Sequence, residues 1–253
     1  MISKIALVTG ATAGIGRATS IQLAKEGYNL IICGRRAGKL IEVSDELSAL
    51  GAKVLTKVVD VRNRKEVESF INGLPLEWKA IDVLVNNAGL AAGLDSFANG
   101  NMDDWDEMID TNIKGLLYVS RMVMPLMLER KTGHIINIGS IAGKEIYSNG
   151  NIYCATKFAV DALTKSMRRE LAESKIRVTG INPGAVETEF SIVRFKGDES
   201  KAAKVYEGYE SLVAEDIAEA IIWCISRPAR VNINDIIITP IAQPAAGMII
   251  KDR

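Results

Sequence analysis

The sequence predicts an α/β fold: one doubly wound domain in which a parallel sheet of about seven strands is flanked by helices. Three observations carry this. Short runs rich in β-branched residues alternate with longer stretches of helical periodicity along the chain, the pattern of repeated βα units. The runs are nearly continuously apolar, as strands covered on both faces should be. No linker, repeat or low-complexity tract interrupts the 253 residues, a length within the range of one large α/β domain. Residues 1–253 therefore read as a single domain.

The elements follow in order. IALVTG (5–10) reads as a strand before a helix from about Ile15 to Glu26, and NLIICG (29–34) as a strand before a helix from Lys39 to Leu50. VLTKVVDV (54–61) leads to a helix near Lys65 to Gly73. DVLVNNAG (82–89) leads to one long helix from Asp103 to Glu129, whose apolar stretch MVMPLML (122–128) carries Pro125 as an interruption. HIINIGS (134–140) precedes a helix from Asn151 to Ala172, and IRVTGINPG (176–184) follows it. After a polar insertion, Phe190 to Tyr209, a helix begins near Glu215 and a last strand lies in NDIIITP. Ligands of open α/β sheets bind past the carboxyl ends of the strands. An insertion near 190–213, directly after NPG, is therefore placed to act as a lid, the alternative being an ordinary solvated helix and loop.

Composition narrows the function classes. Lys plus Arg and Asp plus Glu balance at 31 each, so no overall field points to nucleic acid or a membrane surface. Cys33, Cys154 and Cys224 stand far apart with no CxxC, which implies neither a disulfide framework nor a metal site and fits a reducing, cytoplasmic setting. The start MISKIALVTG leaves no room for a signal peptide. No apolar run reaches the roughly 18 residues of a membrane helix. The single histidine, His134, follows Gly133 and opens an apolar run, a turn or strand-edge position.

The first strand ends in TGATAGIGRA, with glycines at 10, 14 and 16. This is GxxxGxG rather than GxGxxG, with the same physics: a tight turn, close backbone approach, and a helix N-terminus offering free N–H groups to a pyrophosphate. It is the turn of a Rossmann-type domain, with Gly10, Thr12, Gly14, Ile15 and Gly16 as cofactor-binding candidates. The second strand ends CGRR, so Gly34 stands where a carboxylate would hold the ribose diol of NAD. Arg35 and Arg36 follow, and guanidiniums without an acid suit a 2′-phosphate. NADP is favoured as cofactor, the alternative being a basic turn in solvent, for Arg36 more than for Arg35. Asp60 and Val61, ending the third strand, are placed to contact adenine. In NNAG (86–89) the small residues let the backbone of Asn87, Ala88 and Gly89 approach the cofactor.

In SIAGKEIYSNGNIYCATK (140–157), Tyr153 and Lys157 are four apart on a helical segment and share one face. An ammonium beside a phenol stabilises phenolate and lowers the Tyr pKa from about 10, towards an acid or base usable near neutral pH. Such pairs are also common on solvated helix faces.

Taken together these elements resemble the short-chain dehydrogenase/reductase family over nearly the whole chain. The matching motifs are TGATAGIG (9–16), DV (60–61), NNAG (86–89), Asn112 in TNIKG, Ser140, Tyr153-Cys-Ala-Thr-Lys157 and PGAVET (183–188), in order and at family spacing. The resemblance makes Ser140, Tyr153 and Lys157 the chemical residues and leaves Tyr147 and Lys144 at most as pocket wall. It implies that Ser140 hydrogen-bonds the substrate oxygen and that Tyr153 gives or takes a proton. Lys157 lowers the Tyr153 pKa and binds the nicotinamide ribose. Asn112 either holds a water in a proton relay or bends its helix. Pro183, Gly184, Val186 and Thr188 meet the nicotinamide carboxamide, with a simple turn as the weaker alternative. Cys154 fits helix packing, since no base accompanies it. A homotetramer is the assembly usual for such enzymes.

Within the family, IDTNIKGLL, GHIINIGSIAG, NIYCATK, VETEFSIVRFKGD and RPARVNINDIIITP are similar to the NADP-dependent 3-hydroxy acid dehydrogenases. These include enzymes of L-allo-threonine, serine and malonic semialdehyde. The β-ketoacyl carrier-protein reductases usually carry Gly-Gly after the last strand, where this chain reads TPIAQPAAG. KEIY (144–147) departs from the more compact, aromatic versions of the group. A substrate carboxylate needs a cation, and of Arg194 and Lys196 in the lid, Arg194 is the candidate. The alternatives are a reductase of another carbonyl, such as a 3-oxoacyl carrier-protein thioester, or a non-catalytic NADP-binding protein, which would not need Ser140, Tyr153 and Lys157 together.

Overall fold

The computed structural model describes residues 4–252. Residues 1–3, read above as leading straight into the first strand, and Arg253, the end of the C-terminal IIKDR segment, lie outside them. The chain alternates strand and helix: β1 (Ile5–Thr9), α1 (Gly14–Lys25), β2 (Asn29–Gly34), α2 (Ala37–Ala49), β3 (Val54–Val58), α3 (Arg64–Asn72) and β4 (Ile81–Asn86). It continues through α4 (Met102–Ile109), α5 (Leu116–Arg130), β5 (His134–Ile138), α6 (Asn151–Leu171) and β6 (Arg177–Pro183). The lid region holds α7 (Phe190–Arg194) and α8 (Glu199–Lys204), and α9 (Ala214–Ile225) leads to β7 (Asp235–Ile238).

The strands form one parallel sheet of order β3-β2-β1-β4-β5-β6-β7. Leu7 pairs with Ile31 on one side and Leu84 on the other. The order reverses between β1 and β4, so the loops leaving these two strands part in opposite directions and open a crevice at their carboxyl ends.

The period of two divides the core. Leu7, Ile31, Leu84, Ile135 and Val178 pack on one face with Val67 and Phe70 of α3, Val123 and Met127 of α5, and Val160 of α6. Val8, Leu30, Ile32, Val85, Ile136 and Ile181 face the other side, against Leu23 of α1, Leu40 and Leu47 of α2, and Ile217 and Ile221 of α9. Two helices start on asparagine caps. Asn63 Oδ1 accepts from the N–H groups of Lys65 and Glu66 ahead of α3, and Asn101 Oδ1 from those of Asp103 and Asp104 ahead of α4.

The expectation of continuous burial holds for the inner strands and fails at the edges. In β3, Thr56, Lys57 and Val58 are exposed, and β7 alternates between exposed and half-buried residues. An edge strand has one neighbour, and an exposed Lys there discourages further pairing. Asp60 and Val61 lie on the loop after β3, which ends at Val58.

The long helix expected from Asp103 to Glu129 is two helices joined by a wide π-type turn over Asp110–Gly115. The turn carries Asn112, which bonds sideways to Leu90, and a Cβ on Gly115 would lie 2.7 Å from Val61 Cγ2. Pro125 does not interrupt α5, which runs through it. It is exposed, so the carbonyl left without an N–H partner faces water. Among the described residues no helix is long and apolar enough to cross a membrane.

Candidate active site

At the carboxyl ends of the strands lies a cleft of about 530 Å³. One end is built on the glycine turn after β1. Gly10 and Gly14 have φ of +65° and +50°, the left-handed region that glycine enters without steric cost. Gly16 does not line the cleft; it packs beneath the turn, where a Cβ would collide with Gly10 O and Asn87 Nδ2. Asn87 ties the NNAG segment to this turn, donating from Nδ2 to Thr9 O (2.9 Å) and Gly10 O (3.1 Å). Thr9 Oγ1 accepts from the N–H of Asn87 and of Ala88, each at 3.0 Å. Thr9 opens the TGATAGIG turn but was not among its cofactor-binding candidates; its hydroxyl holds the NNAG segment instead. Ala88 and Gly89 line the cleft with Gly10, Thr12, Gly14 and Ile15.

Gly34, Arg35, Arg36, Asp60 and Val61 also line it. A Cβ on Gly34 would lie 2.9 Å from Thr12 Cγ2, so the place of an NAD-binding carboxylate is taken by Thr12. Arg36 donates from Nη2 to Thr12 Oγ1 (2.9 Å) and pairs through Nη1 with Glu189 (2.8 Å), while Arg35 lies 3.6 Å from Glu107. Asp60 is chelated by Arg62 at 2.6 Å. A glycine cradle that any Cβ would fill, beside two arginines and no acid on the ribose strand end, fits a dinucleotide with a 2′-phosphate.

The other end carries the chemistry. Ser140, Tyr153 and Lys157 are 8%, 8% and 6% exposed, so all three are shielded while still lining the cleft. Ser140 Oγ accepts from Ala142 N–H (3.1 Å) and donates to Pro183 O (3.3 Å). A Cβ on Gly143 would lie 2.6 Å from Lys157 O; its absence lets the Ser140 turn pack on the backbone of α6. Lys157 Nζ donates to Ile138 O at 3.0 Å and lies 5.8 Å from the Tyr153 ring centroid. The Tyr153 ring meets Phe190 of the lid edge-on at 5.7 Å.

One expectation is corrected here. The Tyr153 phenol is pushed up, not down, chiefly by burial, with Tyr147 adding to the rise and the Ser140 hydrogen bond and Arg194 opposing it. Burial lowers Lys157 to about 8. Desolvation outweighs the charge pairing because the ammonium is turned towards the Ile138 carbonyl.

Asn112 is brought near but not into the cleft. It is 2% exposed; Oδ1 accepts from Leu90 N–H (2.9 Å), and Nδ2 donates to Leu90 O (2.8 Å) and Thr156 Oγ1 (3.0 Å). Both amide protons are used, which matches the helix-bending alternative for its side chain. Pro183, Gly184, Val186 and Thr188 form the far wall, and Thr188 faces the glycine turn, 3.2 Å from where a Gly14 Cβ would stand. Gln243, which sequence reasoning missed, is 7% exposed and anchors this wall by accepting from Ala185 N–H at 2.7 Å. A glutamine in the C-terminal loop gives no sign of that partner 58 residues away.

The insertion after β6 borders the site. Phe190, Val193, Arg194, Tyr206 and Tyr209 line the cleft, and Tyr206 OH donates to Val186 O at 2.9 Å. Lys196 is turned away, paired with Asp104 at 2.9 Å. Lys144 is not pocket wall: it pairs with Asp161 (2.6 Å) and Asp235 (2.5 Å), tying the Ser140 turn to α6 and β7. Cys154 is buried among apolar residues, where burial raises its thiol pKa. Among the described residues no group of three or more His, Cys, Asp or Glu could hold a metal ion.

A dinucleotide cradle at the switch point of a parallel sheet, joined to a shielded Ser, Tyr and Lys, defines a nucleotide-dependent α/β enzyme. The chain belongs to the short-chain dehydrogenase family: the profile described as short chain dehydrogenase matches residues 4–198. It is 49% identical over 245 residues to the NADP-dependent 3-hydroxy acid dehydrogenase YdfG of Salmonella typhi, covering 96% of this chain and 98% of that one. The closed form of serine dehydrogenase complexed with NADP+ superposes with a TM-score of 0.93 at 46% identity, over 98% of this chain and 100% of that one. Serine dehydrogenase from Escherichia coli gives 0.82 at 42% identity, over 94% and 99%.

Proposed function

We propose that this protein is an NADP-dependent oxidoreductase that transfers a hydride between the nicotinamide and a small 3-hydroxy acid of the serine, L-allo-threonine and 3-hydroxypropionate class. The observation that carries the reading is the placing of Ser140, Tyr153 and Lys157 in one shielded end of the cleft, under an arginine of the insertion, Arg194, that has no acidic partner among the described residues. The names of relatives that span nearly all of both chains support the substrate class.

When bound, NADPH would supply the hydride in the reducing direction. Ser140 Oγ donates to the carbonyl oxygen as negative charge develops on it. Tyr153, kept protonated by burial, gives its phenolic proton to the same oxygen, and takes one back from the alcohol in the oxidising direction. The Lys157 ammonium, 5.8 Å from the Tyr153 ring centroid, would lower the cost of the phenolate left behind. Arg194 faces the acid end of the substrate. Arg35 and Arg36 would hold the 2′-phosphate of the bound nucleotide. The enzyme works as a homotetramer in the cytoplasm; family resemblance and the exposed apolar Leu117 and Leu128 of α5 support the assembly, and three scattered free cysteines fit a reducing cytoplasm.

The test is NADP(H)- against NAD(H)-linked absorbance with serine, L-allo-threonine, 3-hydroxypropionate and 3-hydroxyisobutyrate, beside a neutral secondary alcohol. Turnover of the acids with NADP is expected. Turnover of the neutral alcohol alone would remove the hydroxy-acid assignment and leave the Tyr153 chemistry standing.

A further inference from the structure

Two hydrogen-bond donors in the cleft, one on Arg194 and one on Tyr147, have no acceptor among the described residues. Arg194 donates from Nε to Gly93 O (3.1 Å) and from Nη2 to Tyr147 OH (2.9 Å). Its Nη1 has no hydrogen-bond partner among the described residues, and no carboxylate pairs with it there. Arg35 and Arg36, by contrast, already have Glu107 and Glu189. A guanidinium only donates, so the phenol of Tyr147 accepts from it and keeps its own proton to give. No acceptor for that proton exists among the described residues.

The phenol is held in place. A Cβ on Gly150 would lie 2.6 Å from Tyr147 Cζ, and one on Gly247 would lie 2.5 Å from Tyr147 Cβ. The ring is therefore wedged between two glycines that come from distant parts of the chain. The Arg194 guanidinium packs over both phenol rings, 5.6 Å from the centroid of Tyr147 and 5.7 Å from that of Tyr153. Burial raises the Tyr147 pKa against the pull of Arg194, so the group is a neutral donor near neutral pH.

We infer that Tyr147 is a specificity-determining residue: its O–H and the free N–H of Arg194 together receive the two oxygens of the substrate carboxylate. This rests on the hydroxy-acid reading above and replaces the expectation that Tyr147 is only pocket wall. Because the same guanidinium covers the Tyr153 ring, an acid held by the pair keeps its reacting carbon within a short chain length of the Tyr153 phenol. The arrangement selects small acids.

The experiment compares Tyr147→Phe with the wild type. Phe keeps the wedged ring and loses only the oxygen. KM and kcat are measured with 3-hydroxypropionate and with its neutral methyl ester, and NADPH affinity by nucleotide fluorescence. The expected result is a KM for the acid raised about tenfold, the ratio that one charge-assisted hydrogen bond supplies, with kcat, the ester KM and NADPH affinity unchanged. Arg194→Lys, which keeps the charge and loses the fork, should raise the KM for the acid more than that for the ester. Equal changes for acid and ester, or no change for the acid, would overturn the receptor while leaving the hydroxy-acid reading intact. A wild type that turns over the ester and not the acid would overturn both.

Discussion

Replacing Lys157 by Met should stabilise the protein while it destroys turnover. Lys157 is 6% exposed, and among the described residues its ammonium has one hydrogen bond, to Ile138 O at 3.0 Å. Burial lowers its pKa from 10.5 to about 8. At about 1.4 kcal/mol per pKa unit, keeping the charge in the fold costs on the order of 3 kcal/mol. Met retains most of the apolar stem but leaves the Ile138 carbonyl without its donor, which costs about 1 kcal/mol. The balance is a gain of about 2 kcal/mol near neutral pH, or a Tm roughly 4–8 °C higher for a chain of this length.

The pH dependence has a definite sign. The folded-state pKa lies below the unfolded one, so the unfolded chain holds the extra proton between about pH 8 and 10.5 and wild-type stability rises through that window. The advantage of the Met variant is full below it and lost above it. Thermal unfolding of the cofactor-free proteins by circular dichroism, near neutral pH and above the window, measures this. A variant less stable than the wild type near neutral pH, or a difference indifferent to pH, would refute desolvation as the dominant influence on Lys157.

Two further outcomes concern the cofactor end. Gly16→Ala places a methyl group against Gly10 O and Asn87 Nδ2, so NADPH affinity should fall at least tenfold with a lower Tm; near-wild-type binding would mean the turn relaxes at little cost. Glu189→Gln releases Arg36 from a half-exposed ion pair, and such pairs are worth up to about 1 kcal/mol. NADPH should therefore bind up to roughly fivefold tighter and NADH no tighter, as read by nucleotide fluorescence. Equal gains for both nucleotides would place the 2′-phosphate away from Arg36.

What was legible in the residues follows from how locally each feature is determined. The inner strands were plain because burial on both faces demands apolar side chains throughout, as in Leu30–Cys33 and Val83–Val85. The edge strands carry the same β-branched residues with one neighbour each, and sequence does not say which strands lie at an edge. The break around Asn112 was hidden because helical periodicity continues on both sides, while its cause is a hydrogen bond to Leu90, 22 residues earlier. Spacing alone put Tyr153 and Lys157 on one face of α6. The direction of their pKa shifts depends on burial, a property of the packed cleft, and there the local charge argument lost. Tyr147 had no helical partner to mark it; its partner, Arg194, is 47 residues away, and the glycines that wedge it come from two separate loops.

The most direct test of the chemistry is Tyr153→Phe, assayed for NADP-linked turnover of 3-hydroxypropionate alongside NADPH affinity. The phenol should matter only as proton donor and acceptor, so NADPH should bind as in the wild type while kcat falls by roughly 10²- to 10⁴-fold. Turnover at the wild-type rate with intact NADPH binding would contradict the assignment of Tyr153 as the acid and base of this site.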